Sequence, residues 1–281
     1  MNAAPLPDKS LTLVMDAAEG RLQVGLAGAD GRFLFGSVVD APSRGVEILT
    51  HTLESVFTLL DRDIADIARI AVVRGPGSFT GLRLTAATAA GLARAVSARQ
   101  AGLDYMHCIA RQCMPFLGAT TPDAQLWVLV RARRDLVYAQ AFVQEKWDEV
   151  PFHALTDLAV LPVSSGEAAA HIAETATMHK ASRVLLAGSG AKENRDLLIP
   201  GLSGAESPRL TFLDVTAPWP DTLLAAALGA DYGDADIEPL YVRVSDAETN
   251  LPHIARRLGL DPDDAVRRLH KLTHSQPDQE A

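Results

Sequence analysis

The ten residues Arg74-Gly75-Pro76-Gly77-Ser78-Phe79-Thr80-Gly81-Leu82-Arg83 constrain this chain more than any other stretch. They follow the strand-like run Ile70-Ala71-Val72-Val73 and open an alanine-rich segment, Leu82 to Val96, with the composition of a long helix. Glycines at 75, 77 and 81, with Pro76 among them, demand a turn held in one shape by a positive φ or by close approach of two backbones. A strand, tight loop and helix in that order can aim backbone N–H groups at an anion or at a partner's surface. Spacing separates this loop from two familiar phosphate binders. No Lys-Ser or Lys-Thr closes a G-x-x-x-x-G frame, and counted from Gly75 the third glycine of G-x-G-x-x-G falls one residue late, at Gly81. The residues Gly75, Pro76, Gly77, Ser78, Thr80 and Gly81 therefore read as a structural or interface loop first and as a nucleotide contact second.

The surrounding pattern is α/β. Leu11 to Val14, Leu22 to Ala27 and Arg32 to Val39 have strand spacing and predict an antiparallel meander at the start of a mixed sheet. Val46, Leu49, Leu53, Val56 and Leu60 recur at helical spacing, so a helix is expected over Gly45 to Leu60, followed by a strand over Ile67 to Val73. Leu126 to Val130 and Leu136 to Val143 predict a second strand pair. Helices are expected over Gly166 to Met178 and Thr222 to Leu228, strands over Val184 to Ala187 and Leu210 to Leu213, and a short helical stretch after Gly188-Ser189-Gly190. The repeated order hints at two related domains, 1–102 and 103–245, which 281 residues can supply with a core each. An extension over 246–281 follows, with Asp261-Pro262 marking a helix start and Val266, Leu269 and Leu272 its apolar stripe.

A net charge of −9 argues against broad, autonomous nucleic-acid binding, while leaving room for a local basic patch or an RNA held mainly by a partner. No apolar run approaches the roughly 20 residues that cross a membrane, and the first ten residues contain no signal-peptide core. With two cysteines, the expected location is the cytoplasm.

Few residues carry chemistry by pattern. Asp16 ends the first strand, where a functional acid could organise a phosphate, but a turn role is the plainer reading; Glu19 is expected to face solvent. Ser78 and Thr80 lie outside any G-x-S-x-G elbow. His107-Cys108 with Cys113 lacks the spacing of a zinc knuckle, so core thiols are expected. Arg131, Arg133 and Arg134 form a short positive patch. The nearby Trp127, Tyr138, Phe142 and Trp147 are spaced to cover a sheet rather than to stack bases.

Taken together, these motifs resemble the TsaB (YeaZ) family, the non-catalytic partner in bacterial tRNA threonylcarbamoyladenosine biosynthesis. Arg74 to Arg83 closely matches that family's G-R-G-P-G-S-F-T-G-L-R, with Val73 in place of the first glycine. Ala17 and Ala18 replace the Thr and Ser of its D-T-S segment. Ala132-Arg133-Arg134 with Val137-Tyr138 resembles its A-R-R-x-x-V-Y pattern, Arg131 replacing the preceding acid. Gly188-Ser189-Gly190 and Pro239 to Arg243 fit its later glycine turn and P-x-Y-x-R. The resemblance spans about Leu11 to Arg243 and leaves the segment after Asp246 outside the usual family body.

It implies two actin-like, ribonuclease-H-like (ASKHA) domains with mixed sheets, a heterodimer with TsaD and association with the ATPase TsaE. The complex moves a threonylcarbamoyl group from threonylcarbamoyl-AMP to N6 of adenosine 37 in tRNAs that read codons beginning with adenine. The subunit itself would carry no catalytic residue, cofactor or metal, the ATP and Mg2+ being used by the wider complex. Family usage places the partner face on the first domain, at Val46, Leu49, Leu53, Leu82, Ala86 and Ala90. It makes Asp16 a residual phosphate-site position, and Arg133, Arg134 and Tyr138 the second domain's motif. A homodimer is a further expected state. Two other readings of the chain are a sugar-kinase-like ATPase and a homodimeric binding module; an endopeptidase ranks below them for want of a zinc motif or nucleophile.

Overall fold

The computed structural model describes residues 10–40, 45–117, 123–133, 135–144, 152–204, 207–240, 242, 255–257, 261 and 264. The chain divides into a unit of Met1–Leu240 and a smaller one of Tyr241–Ala281.

The first unit opens as its apolar alternation predicts. Strands β1 (Leu11–Asp16), β2 (Arg21–Ala27) and β3 (Phe33–Asp40) form an antiparallel meander. Helix α1 (Gly45–Leu59) leads to β4 (Ile67–Gly75), which pairs parallel to β1. Helix α2 (Phe79–Val96) begins three residues before the alanine-rich run, because Ser78 already serves as its N-cap. Strand β5 (Arg99–Asp104) completes a mixed sheet of order β3-β2-β1-β4-β5. Leu11, Leu13 and Met15 project to one face of β1 and pack with Leu49, Leu53 and Phe57 of α1 and Ala89 and Ala93 of α2.

Helix α3 (Tyr105–Leu117) crosses to the second sheet. There β6 (Ala124–Arg133) and β7 (Leu136–Val143) pair antiparallel. The short β8 (His153–Ala154) and β9 (Ala159–Pro162) both pair with β7. Helix α4 (Glu167–Met178) leads to β10 (Arg183–Ala187), which lies parallel to β6. Helices α5 (Ser189–Glu193) and α6 (Arg195–Leu202) precede β11 (Arg209–Phe212), parallel to β10. This sheet runs β11-β10-β6-β7-β8, with β9 beside β7. Trp127, Leu129, Val137, Ile172, Val184 and Leu186 belong to its core.

Helix α7 (Pro220–Leu228) then turns back and packs on β1, β2 and β3 of the first sheet. Gly25 makes that contact close: a Cβ there would stand 3.1 Å from two Leu224 side-chain carbons. Beyond α7, Gly233 and Gln100 exchange two backbone hydrogen bonds of 2.8 and 2.9 Å. In the smaller unit the Asp264 N–H donates to Asp261 Oδ1 at 3.3 Å, the geometry of the expected cap. The apolar stripe at Val266, Leu269 and Leu272 lies outside the described residues, as do Arg134, Trp147, Tyr241 and Arg243. Among the described residues no helix is long and apolar enough to cross a membrane.

Candidate functional site

The glycine loop is built by contact with the segment that follows β1. A Cβ at Gly77 would meet the Ala18 carbonyl oxygen at 2.5 Å, and one at Gly81 would collide with the Ala17 carbonyl oxygen. Only glycine lets the two backbones lie so close. The loop's donors are turned inward by the same packing. The Ser78 N–H donates to the Ala18 carbonyl at 2.6 Å, the Gly81 N–H to Ser78 Oγ at 3.4 Å, and the Leu82 N–H to the Ser78 carbonyl at 2.9 Å. Two amides at the start of α2, those of Ser78 and Gly81, are thereby committed within the chain, and the Leu82 N–H makes the first ordinary turn bond of the helix. Gly75, at φ +129°, takes a conformation that side chains avoid, and the Arg74 carbonyl accepts a 2.6 Å bond from the Leu240 N–H. Ser78, Phe79 and Thr80 stay on the surface, with the Arg83 guanidinium 3.8 Å from the centre of the Phe79 ring.

Asp16 lies directly beneath, at 0% exposure. One carboxylate oxygen accepts the Ala18 N–H at 2.8 Å and the other accepts Gln23 Nε2 at 3.1 Å; the same Gln23 nitrogen reaches the Pro218 carbonyl at 3.0 Å. Burial pushes the carboxyl up to about 6, although the two hydrogen bonds pull the other way. What Asp16 does here is hold the Asp16–Ala18 turn in the shape that receives the glycine loop.

Glu19 departs from its expectation. It is half-buried, not solvent-facing, and accepts the Tyr105 hydroxyl at 2.8 Å and the Ser189 hydroxyl at its two oxygens. Ser189 Oγ in turn accepts the Arg131 N–H at 3.0 Å. Burial raises the Glu19 carboxyl, and the two hydroxyls, with Arg21 and Arg131, oppose that rise. Nothing local in the sequence marks this cluster, since its members stand on the β1–β2 turn, α3, β6 and α5.

The face between α1 and α2 is an open apolar groove of about 490 Å³ lined by Val46, Leu49, Thr50, Leu53, Leu84 and Leu92, with Phe57 and Ile64 at its end. Val46 is 66% exposed, whereas Leu49 and Leu53 form the floor and belong to the core. Leu82 corrects the expected face: at 1% exposure it points inward, beside Gly75, and has no surface to offer. Ala86 and Ala90 are half-buried on α2.

In the second half, Arg133 pairs with Leu136 at the end of the β6–β7 ladder, and Tyr138 pairs with Val130. Trp127, Tyr138 and Phe142 are buried, as expected of residues covering a sheet. Cys108 and Cys113 are free and buried. Burial raises both thiols, Cys113 to about 12, as suits side chains packed in the core. Among the described residues no three His, Cys, Asp or Glu side chains converge as a metal site.

Comparison with known proteins places these features. The family model described as TsaD: tRNA N6-adenosine threonylcarbamoyltransferase matches residues 40–199, more than half of the 281-residue chain. A crystal structure of an uncharacterised protein with similarity to peptidase YEAZ, from Pseudomonas aeruginosa, matches with a TM-score of 0.61 and 21% identity, covering 83% of this chain and 100% of that one. YeaZ from Pseudomonas aeruginosa matches at 0.59, again with 21% identity and the same coverage of 83% and 100%. A ROK hexokinase from Thermus thermophilus stands further away, at 0.44 and 15% identity over 78% of this chain and 98% of that one. The likeness to the two Pseudomonas structures shows the fold, and the expected α/β class with two mixed sheets is the one observed.

Proposed function

The chain belongs to the TsaD family, tRNA N6-adenosine threonylcarbamoyltransferase, and from that premise we propose that it serves threonylcarbamoyl transfer to tRNA as a non-catalytic assembly subunit. The observation that carries this reading is the self-filled loop. Gly77 and Gly81 lie on the Ala17–Ala18 backbone, the Ser78 amide is bonded to the Ala18 carbonyl, and the Gly81 amide is bonded to the Ser78 side chain. A strand–loop–helix pressed this closely onto a neighbouring turn is suited to being a rigid body that a partner recognises.

In this reading a catalytic TsaD subunit seats on the groove between α1 and α2. The ATPase TsaE joins the assembly, ATP and Mg2+ act at the other subunits, and tRNA is held mainly through them, in the cytoplasm. The groove supports the placement, because Val46, Leu84 and Leu92 give a partner apolar surface to cover. Each Å² of such surface contributes about 25 cal/mol, offset by the ordering and association costs of docking.

Light scattering coupled to size exclusion tests the reading with this protein alone and mixed with its cognate TsaD. A stable mixed species is expected, and Val46→Glu, on an exposed side chain, should abolish it without unfolding the subunit. A mixed mass unchanged by Val46→Glu would remove the groove as the contact. Absence of any mixed species, with TsaE and nucleotide also supplied, would remove the assembly role. ATP turnover by the isolated chain, lost on Asp16→Ala, would favour the kinase-like alternative.

A further inference from the structure

We infer that Glu19 is a strap that locks the two sheets of the first unit together, its carboxylate taking hydroxyls from the helix that joins them and from the second sheet's side. Three elements meet at this one side chain. Glu19 stands on the turn between β1 and β2, in the first sheet. Tyr105 is the first residue of α3, the helix that joins the sheets, and Ser189 is the first residue of α5, immediately after β10 in the second. The Tyr105 and Ser189 hydroxyls donate to different oxygens of the same carboxylate, so neither can leave without orphaning half of it.

The geometry of Ser189 makes the connection directional. A serine hydroxyl has one proton to give. Its oxygen already accepts the Arg131 N–H at 3.0 Å, from β6, which turns the hydroxyl proton to Glu19. Ser189 is the first helical residue of α5, one position past the cap, which is Gly188, so its hydroxyl is not needed as a cap and is available to Glu19. Tyr105 is fully buried, and its phenol, raised further by that burial and by Glu19, remains a proton donor across the physiological range. The charged groups facing Glu19 are Arg21 on β2 and Arg131 on β6, both of which favour the carboxylate; Asp16 lies deeper and bonds elsewhere. Each sheet therefore contributes one arginine to an acid that neither sheet alone would stabilise as well.

The consequence is mechanical. Moving the two sheets apart at this point requires the Glu19–Ser189 contact to break, and with it the arrangement that holds the Arg131 amide. The strap holds the halves at one separation and presents them as a single rigid body.

Hydrogen exchange read by mass spectrometry on the full chain tests this, because a strap transmits an effect to the far sheet and a local hydrogen bond does not. Ser189→Ala should speed exchange over residues 17–20, and Glu19→Ala, which leaves no acceptor, should speed it over residues 187–193, each by about tenfold. The double variant should exchange no faster than the faster single, since either change releases the same contact. Wild-type rates in the far segment of either single variant would overturn the strap, and so would effects that multiply in the double. Should Glu19→Ala fail to fold, Ser189→Ala decides alone: faster exchange over 17–20 upholds the strap and an unchanged rate refutes it.

Discussion

The two halves of the first unit each pass from a strand through glycines into a helix, and they spend the serine at that passage differently. In the first half, β4 runs through Gly75–Gly81 into α2, and Ser78 turns its side chain to its own helix, accepting the Gly81 N–H. In the second, β10 runs through Gly188 into the five-residue α5, and Ser189 reaches out of its helix to Glu19 in the other half. The glycines are alike in purpose. Gly81 clears the Ala17 carbonyl and Gly188, at φ +98°, clears the Leu129 carbonyl. The lesson is that close backbone approach is the constant of this architecture, and the side chain beside it is free to cap locally or to bridge.

Direct attack on the constant should have the largest effect. Gly81→Ala and Gly188→Ala each drive a Cβ into a backbone carbonyl that has no side-chain freedom to yield, and each should cost about 3 kcal/mol or more in urea unfolding. Near-wild-type stability for one of them and not the other would break the equivalence of the two passages.

Next in size is a pH effect confined to the first half. Because burial holds Asp16 at about 6, above its ordinary 3.8, the folded chain binds this proton more tightly than the unfolded one. Its contribution therefore favours folding fully below about pH 4 and fades as pH rises to 6, a difference of about 3 kcal/mol. Unfolding free energies of wild type and Asp16→Asn, compared between pH 4 and 7, should diverge across that window; parallel curves would show that the carboxyl under the loop titrates normally.

Smaller effects sharpen the contrast of the serines. Ser78→Ala removes a long cap bond and should cost about 0.5–1 kcal/mol, with any change in exchange confined to the first turns of α2. Transmission of that change to residues 187–193 would erase the distinction between capping and bridging. Gly91 is the control glycine of α2: a Cβ there meets nothing within 4 Å, so Gly91→Ala should raise the unfolding free energy by about 0.5–1 kcal/mol.

Much of the fold was legible in the sequence, for physical reasons that also explain the omissions. The meander, α1, β4, α2, the β6–β7 pair and α4 carry strong apolar period and glycine punctuation. Strand β5 escaped because Arg99-Gln100-Ala101-Gly102-Leu103-Asp104 is a polar edge strand whose stability comes from pairing with β4, far back in sequence. Helix α3 escaped because Pro115 and a His-Cys-rich composition obscured a sound signal: Tyr105, Ile109, Cys113 and Leu117 recur every four residues and are all buried. For the site, the glycine loop stood out at once, while what it presses on did not. Ala17 and Ala18 are unremarkable as letters, and their carbonyls matter only through tertiary contact. Glu19 was misread as a solvated turn residue because Ser189, its partner, is separated from it by 170 positions.

The return of α7 to the first sheet has a consequence for the order in which this protein can be made. Leu223 and Leu224 are buried, and α7 packs on β1, β2 and β3, the opening strands of the described chain. While the protein emerges from the ribosome, the meander therefore waits with one face uncovered until the whole stretch 41–219 and then α7 have followed it. A chain released after Phe212 would have both sheets written in full and still carry that apolar face bare, an invitation to aggregate. The first structure begun is among the last to be finished.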